Sequence, residues 1–147
     1  INTWQEITPT LLIYGEGNKI LHSFAYIHEV YPGSVSDLEF WYFGDLDPMG
    51  INIWYELDSQ QPVPVKPATI FYTALLDQWS KRAQQLKTNQ RWNQAAIDAF
   101  LSHFGKYYQK QLLQLLENNN YLPQEGLHGK FLHQLSKQAK GNRNAVD

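Results

Sequence analysis

Leu38-Glu39-Phe40-Trp41-Tyr42-Phe43-Gly44-Asp45-Leu46-Asp47-Pro48-Met49-Gly50 is the stretch on which the fold turns. Its first half is an apolar, aromatic run of strand length, and its second half exchanges bulk for Gly, Asp and Pro. A buried strand that stops at Gly44 and yields to a helix near Pro48 is one βα step. Asp45 and Asp47 then stand together at the carboxyl end of that strand, the place where α/β folds gather their ligands.

Outward from this point the same alternation recurs. Upstream, Thr10-Leu11-Leu12-Ile13-Tyr14 is a continuous apolar run closed by Gly15 and Gly17, as in a strand covered on both faces. Asn18 to Val30 carries Ile20, Leu21, Phe24 and Ile27 at helical spacing, with Asn18 placed to cap, and Tyr31-Pro32-Gly33-Ser34 breaks the chain. Downstream, Ile51, Ile53, Trp54 and Leu57 predict a second helix. Strand, helix, strand, helix with short breaks predicts an α/β fold with a parallel sheet.

From Gln60 to Pro67 three prolines surround Val63 and Val65, which suits a short edge strand or a linker. The remainder reads as helical. One helix is predicted from Thr69 to about Lys87, and a long one from Asn93 to Leu116, weakened at Gly105 and ended by Asn118-Asn119-Asn120. A last helix is predicted to open at Pro123-Gln124-Glu125 and run through Leu127, Phe131 and Leu135 before a polar tail. The expected organisation is an α/β core over residues 1–67 and a helical segment over residues 68–147.

Composition bounds the chemistry. With 43% apolar residues and five Trp among 147, the chain can bury a domain-sized core, and 18% charged residues is too few for wholesale disorder. A net charge of −2 provides no global basic field for nucleic acid. Cysteine is absent, which excludes disulfides and thiolate metal sites. No apolar run is long enough to span a membrane and no signal peptide is visible, so a soluble, cytoplasmic protein is expected. The start at Ile1 suggests a piece of a longer protein.

Carboxylates are hard oxygen ligands, and Mg²⁺ (or Mn²⁺) is commonly held by one or two of them with waters left for a phosphate. Asp45 and Asp47 are therefore candidate metal ligands and catalytic residues. The plainer reading is that they cap the following helix; it accounts well for Asp47 and less well for a second aspartate beside it.

Tyr42-Phe43-Gly44-Asp45-Leu46-Asp47-Pro48-Met49-Gly50-Ile51-Asn52-Ile53 resembles the Asp-x-Asp motif of toprim domains, the metal-binding domains of topoisomerases, bacterial primases and related nucleases. Its Gly-Asp-x-Asp-Pro-x-Gly form resembles the C-terminal domain of the nuclease subunit of Wadjet-type plasmid-defence systems, itself similar to the A subunit of type IIB topoisomerases. Leu11-Leu12-Ile13-Tyr14-Gly15-Glu16-Gly17 resembles the Gly-rich strand that precedes the motif, and Tyr121-Leu122-Pro123-Gln124-Glu125 a C-terminal element of the same group. The resemblance implies a toprim-like, Rossmann-like core, Mg²⁺-dependent cleavage of DNA, and condensin-like ATPase subunits as partners. A homodimer is left open.

The resemblance also implies a third carboxylate, a glutamate ending an earlier strand. Glu16 is the candidate in this chain, as a metal ligand or general acid/base. It precedes Asp45 by 45 − 16 = 29 residues, whereas the toprim order of helix, strand and helix needs about 45. The alternative is a glutamate upstream of Ile1, with Leu11–Tyr14 as the second toprim strand and the first strand missing. Glu125 is a further carboxylate able to approach from the C-terminal segment, although a helix N-terminal position explains it equally well.

Two other functions fit the motif. In a phosphatase of the haloacid-dehalogenase kind, Asp45 is a nucleophile and Asp47 an acid/base, but such motifs usually sit on the first strand and continue with Thr or Val where Met49 stands. In a non-catalytic toprim-like module, no metal binds. The five histidines are unpaired in sequence, His128 and His133 being five apart, which is not helical metal-ligand spacing. Lys130, Lys137, Lys140 and Arg143 fit a solvated helix face better than a phosphate-binding one.

Overall fold

The computed structural model of the chain describes residues 11–127. Gly15–Gly126 form one compact unit, and Ile1–Tyr14 with Leu127–Asp147 form another. Of the second unit only Leu11–Tyr14 and Leu127 are described. Thr10, the start of the predicted first strand, lies outside the described residues. Leu11–Tyr14 make no strand: they have no regular structure, and Leu12 is 92% exposed. An apolar run becomes a strand only by pairing, and no ladder partner stands beside these four among the described residues.

The Gly15–Gly126 unit opens on Glu16 and Gly17, both left-handed with φ 48° and 64°. Glycine adopts that backbone without cost, and Glu16 does so at the start of the turn Gly17–Lys19. The predicted helix over 18–30 is a broken one. Short α-helical pieces α1 (Ile20–Ser23) and α2 (Ile27–Val30) alternate with 3₁₀ turns, and Asn18 caps nothing. Ile20, Phe24 and Ile27, the residues singled out by spacing, are the buried ones.

The central stretch forms β1 (Phe40–Tyr42), followed by α3 (Pro48–Gln60) and β2 (Val65–Pro67). β2 lies parallel to β1 in the register Phe40↔Val65, Trp41↔Lys66, Tyr42↔Pro67, so the three elements make a βαβ unit. The edge strand suggested by Val63 and Val65 is therefore real, with Pro67 at its end, where a missing N–H is tolerated. Trp54 on α3 donates its indole N–H to Val65 O at 2.7 Å and binds the helix to the second strand.

The rest is helical but more divided than predicted. α4 (Thr69–Trp79) is followed by a 3₁₀ turn and by β3 (Gln84–Gln85), where helix to Lys87 was expected. β3 pairs antiparallel with β4 (Asn120–Tyr121). The long helix expected over 93–116 is two, α5 (Gln94–Leu101) and α6 (Lys106–Glu117), separated at Ser102–Gly105. Phe100 and Phe104, on either side of the break, both face one ring: Tyr72 meets them edge-on at 5.1 and 6.2 Å. Trp54, Tyr72 and Phe100 are wholly buried and tie α3, α4 and α5 into one core. Asn119, left-handed at φ 58°, turns the chain from α6 into β4. Of the predicted last helix, a 3₁₀ turn at Gln124–Gly126 is described; its continuation lies outside the described residues.

Candidate functional site

Each residue of the central motif has a local reason to be what it is. Tyr42 folds its ring back over Gly44, so that a Cβ there would collide with the Tyr42 hydroxyl. Gly44 N donates to Tyr72 Oη at 2.9 Å inside the core, anchoring the end of the strand to α4. Leu46, completely buried, forms a two-bond antiparallel bridge with Leu122: Leu46 N donates to Leu122 O at 2.8 Å, and Leu122 N donates back at 3.3 Å. Gly50 is required by a close approach. A Cβ at that position would run into the Asp45 carbonyl oxygen and come within 3.2 Å of Asp47 Oδ1.

Asp47 is the N-cap of α3. It is buried at 6% exposure, and its Oδ1 accepts from Gly50 N at 2.7 Å. Pro48 takes the first helical position, where its missing N–H is no loss. Gln90, from the loop after β3, completes the arrangement. Its Nε2 donates to Asp47 Oδ2 at 3.1 Å while its Oε1 accepts from Met49 N at 2.8 Å. The amides of Met49 and Gly50 are thereby satisfied, and both Asp47 oxygens are oriented.

Asp45 is placed differently. It is half-buried, and its Oδ1 accepts from Gln124 N at 2.9 Å. No donor among the described residues reaches its Oδ2. Burial holds its carboxyl above the usual range, and the charges of Asp47 and Glu125 add to the rise against the opposing Gln124 bond. Tyr42 and Tyr72 are raised too, chiefly by burial, so both remain protonated phenols beside the carboxylates.

The structure thus places Asp45 and Asp47 on either side of Leu46 at the start of α3, and the exposed Glu125 of the Gln124–Gly126 turn is near enough to Asp45 to add to the rise of its carboxyl. Glu16 stands exposed in an ion pair with Lys19 at 2.5 Å. Among the described residues no group of three or more His, Cys, Asp or Glu side chains is arranged to hold a metal ion. His22 and His28 are exposed, and His103 packs edge-on to Trp54 at 5.5 Å. The fit to a divalent cation is that of a two-carboxylate site. Mutually repelling carboxylates, one with an oxygen that no donor among the described residues reaches, supply hard ligands with lone pairs to spare.

The sequence did not mark Gln90, Tyr72 or the Gln124 amide as part of this site. Gln90 is 43 residues from Asp47 and lies in a polar loop with no periodic signal. Only the contact itself gives it a role.

No helix among the described residues is long and apolar enough to cross a membrane. Neither a curated protein nor a solved structure matches the chain. A sequence model of the family described as "Wadjet protein JetD, C-terminal" matches residues 1–135, most of the chain and all of the elements above. With the Gly-Asp-x-Asp-Pro-x-Gly motif set at the end of a parallel strand inside that span, the chain belongs to the Wadjet JetD C-terminal family.

Proposed function

We propose that this chain is the toprim-like, metal-dependent DNA-cleaving domain of a Wadjet anti-plasmid defence system. Family membership supports the defence role and a nuclease-like subunit working with other Wadjet subunits, condensin-like ATPases among them. The observation that carries the chemistry is Asp45 at the carboxyl end of a parallel strand, with one carboxylate oxygen that no donor among the described residues reaches, beside a fixed Asp47. Asp45 and Asp47 would hold Mg²⁺ or Mn²⁺, which when bound polarises the scissile phosphate and stabilises the attacking and leaving oxygens. The protein's part is positional. Gly50 and Gln90 fix Asp47, the Leu46–Leu122 bridge and Gln124 fix Asp45, and the raised phenols of Tyr42 and Tyr72 stay neutral nearby.

One observation favours a second reading, a non-catalytic module in which Asp47 only caps α3: both its oxygens already accept protein hydrogen bonds. Each carboxylate oxygen has two lone pairs, so capping and cation binding are compatible. The two readings separate on supercoiled plasmid incubated with Mg²⁺ and the assembled Wadjet subunits. The wild type should cleave it, and Asp45→Asn and Asp47→Asn should not. Undiminished cleavage by either variant would overturn the metal-site reading.

A further inference from the structure

The aspartates are framed by a segment with the opposite charge. From Gln78 to Ile97 the chain carries Lys81, Arg82, Lys87 and Arg91 and no acidic residue, although its net charge is −2. This segment is tied to both sides of the site. Through β3 it pairs with β4, and Leu86 N donates to Asn119 O at 2.9 Å, just before the residues that bridge Leu46 and cap Asp45. Through Gln90 it bonds Asp47 and Met49, and Arg91 O accepts from Asn52 Nδ2 at 3.2 Å. The loop is therefore anchored at Leu86, Gln90 and Arg91. The side chains of Lys87 and Arg91 are exposed, with no ion-pair or hydrogen-bond partner among the described residues. Trp92 is 40% exposed, its indole N–H donating to Gln94 Oε1 at 2.9 Å. Met49, 50% exposed, lies at the same edge.

A solvated charged loop needs no tryptophan and no double anchorage to a carboxylate site. We propose that Lys87–Trp92 is a strand-binding lip beside the aspartates: Lys87 and Arg91 hold two backbone phosphates, and Trp92 stacks one base of a single-stranded stretch of DNA. Cations on the backbone and an aromatic platform under a base are the two parts of sequence-tolerant single-strand binding. The repulsion between phosphates and the neighbouring carboxylates is offset where the lip supplies positive charge. The proposal rests on the reading of Asp45 and Asp47 as a phosphodiester-cleaving centre.

Binding of a fluorescent twelve-nucleotide single strand, and of its blunt duplex, to the chain in EDTA at low salt tests it. The single strand should bind more tightly than the duplex. Trp92→Ala should weaken single-strand binding about tenfold, with Trp92→Phe retaining most of it. Lys87→Ala with Arg91→Ala should lower the slope of log affinity against log salt by about 1.4, since each single-strand phosphate contact contributes about 0.7. Lys106→Ala with Lys110→Ala, an equal charge change on α6, should leave the slope in place. The lip is overturned if its variants bind like wild type, if the α6 pair loses as much, or if duplex and single strand bind alike. Wild-type chain that binds Mg²⁺ but no oligonucleotide sinks the lip alone, whereas binding of DNA without Mg²⁺ affinity sinks the metal centre instead.

Discussion

Asn at position 47 keeps an oxygen to accept from Gly50 N but gives up the negative charge. Asp47→Asn keeps the cap but sets an N–H against Gln90 Nε2 in place of the accepting Oδ2, so it should lose about 1 kcal/mol, and Asp47→Ala, which loses the cap as well, about 2–3 kcal/mol. Denaturant titration of the two variants separates Asp47's structural part from any charge it lends a cation. Tyr72→Phe should cost about 1–3 kcal/mol, because Gly44 N loses its acceptor within the core. Asp45 gives a pH signature. Burial, then the charges of Asp47 and Glu125, raise its folded-state pKa, so the fold binds its proton more tightly than the unfolded chain does. That contribution to stability is present below the ordinary carboxylate pKa and is lost as pH rises through the folded value. Urea melts across about pH 3 to 7 should show this downward slope in the wild type and its loss in Asp45→Asn. A cation on Asp45 needs the carboxylate ionised, so its affinity should rise with pH over the same window.

Among the elements, those with dense local signals were the ones the sequence revealed. The Phe40–Phe43 run, Pro48 and the apolar stripe Ile51, Ile53, Trp54, Leu57 predicted β1 and α3 because strand period, N1 proline and helix period all agree there. β3 and β4 were missed because they are two residues each and exist by pairing across 35 or more positions, which no local pattern records. The break between α5 and α6 was foreshadowed by Gly105, which stands as the N-cap of α6. Phe100 and Phe104 both pack on Tyr72, and the chain between them leaves α-helical geometry at Ser102–Gly105. Phe100 is the residue where three helices meet, 5.6 Å from Trp54 and 5.1 Å from Tyr72. Phe100→Ala should therefore cost about 3–5 kcal/mol in chemical denaturation. A loss below about 1 kcal/mol would show that α5 is not part of the core that supports the site.

At the scale of the whole molecule, the Gly-Asp-x-Asp-Pro-x-Gly motif was enough to suggest the Wadjet family, and the match over residues 1–135 bears this out. The candidate site was legible in part. Asp45 and Asp47 are brought together because they flank one buried residue, Leu46, whereas Glu16 was named from its position after an apolar run that forms no strand among the described residues. Glu125 and Gln90 join the site only through folding, from segments 80 and 43 residues away from the aspartates they meet. Four of the chain's twelve Lys and Arg residues fall in the acid-free stretch from Gln78 to Ile97, which bonds Asp47 through Gln90. The central claim is that Asp45 and Asp47 form a cation site, and calorimetric titration of the chain with Mg²⁺ and Mn²⁺ tests it most directly. Saturable binding by the wild type that Asp45→Asn abolishes, without loss of a cooperative melt, is the predicted result; no binding by the wild type, or equal binding by Asp45→Asn, would contradict it.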